Sequence, residues 1–152
     1  MNVRARRFHL PEKSKRIVVE VISYLFIALF IYAAANKLFE FERFKAQMGQ
    51  SAMLTSYASI LAWAIPCLEV MIALLLFLSR TLLIGLYMSF SLMVLFSAYI
   101  GILLMSGEHL PCSCGGVLQQ MSWSQHLVFN LGFVGLGFVA IILGTRLENH
   151  GV

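Results

Sequence analysis

Four apolar stretches constrain the fold of this chain more than any other feature of its sequence. They cover residues 17–39, 57–78, 81–105 and 122–145. An α-helix needs about 20 residues to cross the hydrocarbon core of a bilayer, and it satisfies its own backbone hydrogen bonds there. Only 12% of the residues are charged, against about 25% in soluble proteins. We therefore predict an all-α membrane protein, a single bundle of four transmembrane helices over residues 17–145.

The basic residues predict how the bundle is oriented. The link at residues 79–80 is so short that the second and third helices must be antiparallel. One side of the membrane then holds eight basic residues, namely six within residues 1–16 together with Arg80 and Arg146. The other side holds three, which are Lys37, Arg43 and Lys45. The positive-inside rule predicts that residues 1–16 and the tail 146–152 are cytoplasmic, in a bacterial inner membrane. We interpret the basic cluster as this orientation signal and expect membrane lipid, not nucleic acid, as a partner.

A short amphipathic segment follows the first helix. Apolar residues recur at helical spacing among charged ones at Leu38, Phe41, Phe44 and Met48. This pattern is typical of a helix that lies in the membrane interface. We predict a short interfacial helix here, and the alternative is that the first helix simply extends into water.

The segment between the third and fourth helices carries two closely spaced cysteines. Ser122 and Gln125 form a capping box that predicts the start of the fourth helix, and Trp123 fits the aromatic belt at the interface. Residues 106–121 are then an outer-face, periplasmic loop that contains Cys112 and Cys114. Loops of this length without secondary structure of their own are often functional.

Three kinds of chemistry remain open for Cys112 and Cys114. A disulfide between residues i and i+2 requires a bent backbone and would be strained, hence easily reduced, which favours thiol exchange. The second possibility is a static structural bridge. The third is a Cu(I) or Zn(II) site that adds His109, with His126 as a further ligand.

Two residues of the second helix stand out within its apolar sequence. Cys67 is about 15 Å along the helix, near the membrane midplane. We expect it to be a small buried residue of the core. The alternative is that Cys67 is a third thiol, which exchanges disulfides with the loop cysteines. Glu69 is costly at that depth and should face the bundle interior, either paired with Asn130 or acting as a proton acceptor for a thiol or quinone. Its structural alternative is a neutral carboxyl that holds helices together. Cys67 and Glu69 point in nearly opposite directions, since two residues turn a helix by about 200°.

Three further polar residues are candidates to support this chemistry. Lys37 ends the first helix, where we expect an anchor that extends to the lipid headgroups. Its functional alternative is a charge that lowers the pKa of a nearby thiol. His126 and Asn130 share one face of the fourth helix because they are four residues apart.

These residues together resemble a known family. The motifs are Asn36-Lys37-Leu38, Pro66-Cys67-Leu68-Glu69, Pro111-Cys112-Ser113-Cys114-Gly115-Gly116, and Trp123 with Asn130. Their order resembles the DoxX-like superfamily, and within it the MauE branch of redox-associated membrane proteins, over about residues 17–145. The resemblance implies a role in disulfide formation or thiol redox in periplasmic proteins, such as the maturation of methylamine dehydrogenase. By analogy with bundles related to vitamin K epoxide reductase, it also implies a membrane quinone as electron acceptor, although those bundles have Cys-x-x-Cys.

Two functional hypotheses follow. In the first, the chain is a thiol-disulfide oxidoreductase in which Cys112, Cys114 and Glu69 act and Lys37, Cys67, Trp123, His126 and Asn130 support them. In the second, it is a non-enzymatic accessory or assembly subunit of a larger membrane complex. Both hypotheses require a periplasmic or membrane protein partner.

Overall fold

The helices of the chain account for nearly all of the residues that can be described. The computed structural model describes residues 11–50, 55–106 and 122–149. Its elements in chain order are α1 Glu12–Phe39, α2 Phe41–Gln50, a 3-10 turn at Thr55–Tyr57, α3 Ala58–Phe77, α4 Leu82–Ser106 and α5 Trp123–Asn149. Four of them, α1, α3, α4 and α5, are long and apolar enough to cross a membrane. The predicted four-helix membrane bundle is confirmed.

Two of the long helices extend beyond their apolar stretches. Helix α1 begins at Glu12 rather than at residue 17, and Lys15 donates a hydrogen bond of 2.7 Å to Glu12 within its first turn. A second charged pair, Arg16 and Glu20, follows at 3.7 Å. Pairs spaced by three or four residues support a helix whose surface is polar. The helix therefore continues past the membrane-spanning part, and α5 does the same to Asn149.

The four long helices form a ring in which every neighbour is antiparallel. Helix α1 packs against α3 and α5, and α4 packs against α3 and α5. Consequently the ends of α1 and α4 lie with the starts of α3 and α5. We call this the Lys37 end of the bundle, and we call the opposite end, where α1 begins and α3 turns into α4, the Arg80 end.

The core of the bundle is aromatic and aliphatic. The rings of Phe26 and Phe30 stack with centroids 5.9 Å apart, and Phe133 meets Phe26 edge-on at 5.3 Å. Buried hydroxyls are satisfied within their own helices: Ser89 donates to the carbonyl of Gly85 and Ser97 to that of Met93. Large apolar side chains such as Leu95 and Val128 are exposed on the outside, which is expected for a surface that contacts lipid.

Helix α2 confirms the predicted short amphipathic helix and packs on the bundle. Phe44 is buried, and the ring of Phe41 lies 4.7 Å from that of Trp63 in α3. The charged residues Glu42 and Arg43 are exposed. The apolar face of α2 therefore closes over α3 at the Lys37 end.

A tight connection joins α3 and α4 at the Arg80 end. The hydroxyl of Thr81 donates to the carbonyl oxygens of Leu75 and Leu78. A Cβ atom at Gly85 would lie only 2.9 Å from the backbone nitrogen of Leu76. Glycine is required there because the two helices approach each other too closely for a side chain.

Candidate functional site

A buried ion pair crosses the interior of the bundle. The ammonium group of Lys37 donates a hydrogen bond of 2.6 Å to Oε1 of Glu69. The side chains are 6% and 1% exposed, respectively. Lys37 is therefore not the headgroup anchor that we expected from the sequence, and that prediction is wrong. Glu69 faces the bundle interior as its depth predicts, and its hydrogen-bond partner is Lys37 and not Asn130.

The direction of side chains on antiparallel helices explains how these two residues meet. Lys37 is two residues from the end of α1, whereas Glu69 lies near the middle of α3. Side chains lean toward the N-terminus of their own helix. The long Lys37 side chain thus extends into the bundle, and Glu69 leans back toward the Lys37 end. Because the ammonium group at the end of the Lys37 side chain binds the carboxylate of Glu69, Lys37 is held inside the bundle and does not extend outward.

Two aromatic rings complete the surroundings of the ammonium group. The Nζ atom of Lys37 lies 5.8 Å from the ring centroid of Phe44 in α2 and 5.9 Å from that of Phe96 in α4. Both distances are within the range of cation-π attraction. The charge of Lys37 is therefore contacted from α2, α3 and α4 while the residue itself belongs to α1. Four elements converge on one ammonium group.

The second oxygen of Glu69 is the unusual atom of the site. Its Oε2 atom is buried and accepts no hydrogen bond from the residues that the structure describes. A buried carboxylate oxygen without a donor is costly, since it loses its water and gains nothing in return. This atom is available to accept a hydrogen bond or a proton.

The first two turns of α5 carry the polar residues predicted for its inner face. His126 and Asn130 are each 4% exposed, so both face the interior, as their spacing of four residues predicts. The capping box is also confirmed: Gln125 Oε1 accepts from the backbone of Ser122 at 3.0 Å, and Ser122 Oγ accepts from Gln125 at 3.3 Å. The structure gives the side chain of Trp123 no description, and its place in the aromatic belt stays a prediction.

Cys67 lies away from this interior site. Its thiol is exposed, on the side of α3 opposite the buried Glu69. Our expectation of a small buried residue is therefore wrong, and the physical reason is the rotation of about 200° between the two positions. Since Glu69 occupies the interior, Cys67 must face outward.

The loop cysteines fall outside the described residues. Residues 107–121, with His109, Cys112 and Cys114, connect the end of α4 to the start of α5, which are both at the Lys37 end. Within residues 11–50, 55–106 and 122–149, no group of three or more His, Cys, Asp or Glu side chains could hold a metal ion. The alternative metal site at His109, Cys112 and Cys114 stays untested.

Comparison with protein families decides the relationship that the motifs suggest. The family model of methylamine utilisation protein MauE matches residues 15–143. The chain belongs to the MauE family. That match runs from the first turn of α1 nearly to the end of α5, so the MauE region and the four-helix bundle coincide. Comparisons with curated proteins and with solved structures found no match.

The feature of this MauE protein that the sequence did not reveal is the contact between Lys37 and Glu69. A signal was present, because Lys37 directly follows an apolar stretch and Glu69 interrupts another. Opposite charges inside a membrane protein tend to pair with each other. That rule, applied to both residues together, favours such a pair but does not show that α1 and α3 are neighbours.

Proposed function

We propose that this MauE-family membrane protein exchanges disulfides with a partner protein through Cys112 and Cys114. The observation that carries the proposal is the buried Lys37–Glu69 pair, with the unpartnered Oε2 atom of Glu69. Ionisable groups inside a membrane bundle are expensive to keep and commonly mark sites of proton transfer. Thiol redox reactions move protons as well as electrons, so a buried acid is the kind of group that they need.

The exchange itself needs no further reactant. A thiolate of the partner attacks one sulfur of the Cys112–Cys114 disulfide, which breaks the bond between them and forms a mixed disulfide. A second partner thiolate then displaces the cysteine of this chain. The partner gains a disulfide, and Cys112 and Cys114 become thiols that hold the two electrons and take up two protons.

Glu69 serves this cycle as a proton acceptor, in our proposal, and Lys37 positions it. One carboxylate oxygen is held by Lys37 at 2.6 Å, which leaves Oε2 to receive a proton released when the thiols are oxidised again. Because Glu69 neutralises the charge of Lys37, we assign Lys37 mainly this positioning role and not the direct activation of a thiol. His126 and Asn130 face the bundle interior from the first turns of α5, the helix to which the cysteine segment leads, and we propose that they support the site.

Renewed oxidation of the two thiols requires an acceptor of two electrons. The acceptor class that the family resemblance implies is a membrane quinone. Lys37 and Glu69 offer the kinds of polar group that such a ring would need, because an ammonium group has three N–H donors and Lys37 uses one of them on Glu69. A remaining donor would suit a carbonyl oxygen, and Oε2 of Glu69 would suit a hydroxyl. When bound, a quinone would supply the capacity to accept two electrons and two protons.

The proposal also sets the location of the reaction. By the positive-inside rule the Arg80 end is cytoplasmic and the Lys37 end faces the periplasm of a bacterial inner membrane. That compartment permits disulfides. The partner would then be a periplasmic protein, or a membrane protein with an exposed periplasmic part.

A model dithiol tests the exchange without knowledge of the partner. Purified protein carrying Cys67→Ser is oxidised and mixed with a reduced peptide that contains two cysteines. We expect the peptide to gain a disulfide while the Cys112–Cys114 bond is lost. The reaction is stopped with acid, free thiols are alkylated, and the products are measured by mass spectrometry. In a second step a soluble quinone is added as the acceptor of two electrons and two protons, and the Glu69→Gln variant should then reoxidise its thiols about a hundredfold more slowly, as expected for loss of an acid–base group.

The control separates exchange from assembly. Cys67→Ser alone should behave as the unsubstituted protein, whereas the double variant Cys112→Ser and Cys114→Ser should form no peptide disulfide. If the peptide is oxidised equally by the double variant, the proposal is wrong. A protein whose Cys112 and Cys114 do not react with the peptide would instead favour the non-enzymatic assembly subunit.

A further inference from the structure

A second site lies at the Arg80 end, far from the Lys37–Glu69 pair. It is a cavity of about 440 Å³ between the first turns of α1, the connection from α3 to α4, and the last turns of α5. Sites for small molecules in proteins have volumes of about 300–1,000 Å³. The cavity is therefore large enough for a small polar group with part of an attached chain.

Charges of both signs surround this cavity. Arg16, Glu20, Arg80 and Glu148 all line it. Arg16 and Glu20 lie 3.7 Å apart and partly satisfy each other. Among the described residues, neither Arg80 nor Glu148 forms an ion pair within 4.0 Å. One guanidinium and one carboxylate of the cavity are thus left to contact a ligand.

Most of the remaining lining is apolar and belongs to the membrane-spanning helices, with Ser23, Tyr24 and Ser79 as its polar members. Ile27, Leu76 and Leu83 contribute to it, and each belongs to a helix long and apolar enough to cross a membrane. The charged residues, in contrast, lie at the start of α1, in the α3–α4 connection and at the end of α5. A ligand here would have a charged group at the helix ends and a hydrocarbon part along the helices.

The backbone next to Arg80 is held in a hydrogen-bonded connection, in which the amide of Thr81 donates to the carbonyl of Leu78 at 3.0 Å. The neighbouring Thr81 hydroxyl donates to two carbonyl oxygens, those of Leu75 and Leu78. Across the cavity, a Cβ atom at Gly144 would come within 2.8 Å of Leu83, so the absence of a side chain lets α5 pack closely on α4. The cavity is bounded by tightly connected elements, which favours a preformed site.

We propose that this cavity binds a phospholipid whose headgroup carries a phosphate and a primary ammonium, as phosphatidylethanolamine does. The guanidinium of Arg80 suits the phosphate, since arginine donates two parallel hydrogen bonds to such oxygens. The carboxylate of Glu148 suits the ammonium, which donates hydrogen bonds that a quaternary choline lacks. A purely anionic headgroup would meet Glu20 and Glu148 without any compensating cation of its own.

Native mass spectrometry of the purified protein tests this assignment. The protein is mixed separately with phosphatidylethanolamine, phosphatidylcholine and phosphatidylglycerol that have the same acyl chains. We expect phosphatidylethanolamine to be retained most. Arg80→Gln should reduce its retention about fivefold, the effect of one basic residue near a membrane surface. Glu148→Gln should reduce retention of phosphatidylethanolamine and leave phosphatidylglycerol unchanged or increased.

Arg146→Gln is the matched control, since Arg146 is an exposed residue of the same turns of α5 and is not part of the cavity lining. It should retain all three lipids like the unsubstituted protein. The proposal is overturned by equal retention of phosphatidylethanolamine and phosphatidylcholine, by an unchanged Glu148→Gln variant, or by Arg146→Gln losing as much lipid as Arg80→Gln. All the substituted side chains are exposed, and melting temperatures of the variants check that the fold is intact.

Discussion

Lys37 and Glu69 are 32 positions apart in the chain and their side chains meet at 2.6 Å inside the bundle. The contact joins α1 to α3, and Phe44 and Phe96 bring α2 and α4 to the same ammonium group. A pair of this kind does two things at once. It joins two neighbouring helices, and it keeps a carboxylate oxygen in the interior to which no described residue donates a hydrogen bond.

Removal of Lys37 should strongly destabilise the protein. In Lys37→Met, Glu69 would remain buried without a counter-charge, and breaking a buried pair in this way costs about 3–5 kcal/mol. We expect a clear loss of free energy of unfolding in detergent, measured by chemical denaturation. Lys45→Met is the control, since Lys45 is only half-buried in α2. Equal losses in the two variants would contradict the assigned pair.

Replacing both partners should be less harmful than replacing one. In a double variant with Lys37→Met and Glu69→Met, no buried charge is left unpaired, and apolar residues of similar volume often replace a buried pair with little loss. A double-mutant cycle on the free energies of unfolding should therefore show strong coupling between the two positions. Additive effects would mean that the two side chains do not interact.

A side chain at Gly85 should weaken the α3–α4 hairpin. In Gly85→Ala, the new methyl group would lie 2.9 Å from the backbone nitrogen of Leu76, so the helices must separate. Overpacking of this kind costs about 1–3 kcal/mol. At Gly101 in α4 a Cβ atom would have no neighbour within 4 Å among the described residues, and alanine is the better helix former. Gly101→Ala should keep or raise the melting temperature, and the reverse ranking would refute this packing.

Loss of the capping box should loosen the start of α5. In Ser122→Ala the amide of Gln125 loses the hydroxyl that accepts its hydrogen bond at 3.3 Å, and a lost N-cap typically costs about 1 kcal/mol. Hydrogen exchange at the amides of the first turn should become faster. Ser124→Ala is the control in the same turn, where an exposed side chain should have little effect; equal exchange in both variants would argue against the cap.

The sequence was sufficient for the helices because the membrane leaves few alternatives. Every spanning stretch needs about 20 apolar residues and must be helical, so α1, α3, α4 and α5 were predicted to within a few residues. The ends differed where charged pairs such as Lys15 with Glu12 continue a helix beyond the apolar part. The start of α5 was predicted well because Ser122 and Gln125 form a local motif.

The site was harder to predict because it depends on contacts between helices. The interior position of Glu69 followed from its depth alone. Helix rotation then places Cys67 on the outside, but we expected a buried residue there, and that expectation was wrong. The identity of the partner of Glu69, Lys37, did not follow from the sequence, since the sequence alone does not reveal that α1 is adjacent to α3 in the ring. A lysine at a helix end is usually drawn to the headgroups. Here the opposite charge on the neighbouring helix holds it inside.

The most direct test of the account is the redox state of Cys112 and Cys114 as the ratio of reduced to oxidised glutathione is varied. Protein carrying Cys67→Ser is equilibrated at each ratio, quenched with acid, alkylated and measured by intact mass. We predict a single transition in which both cysteines change together, as one two-electron couple. Two free thiols at every ratio, or a bond that resists reduction at every ratio, would contradict the proposed disulfide exchange.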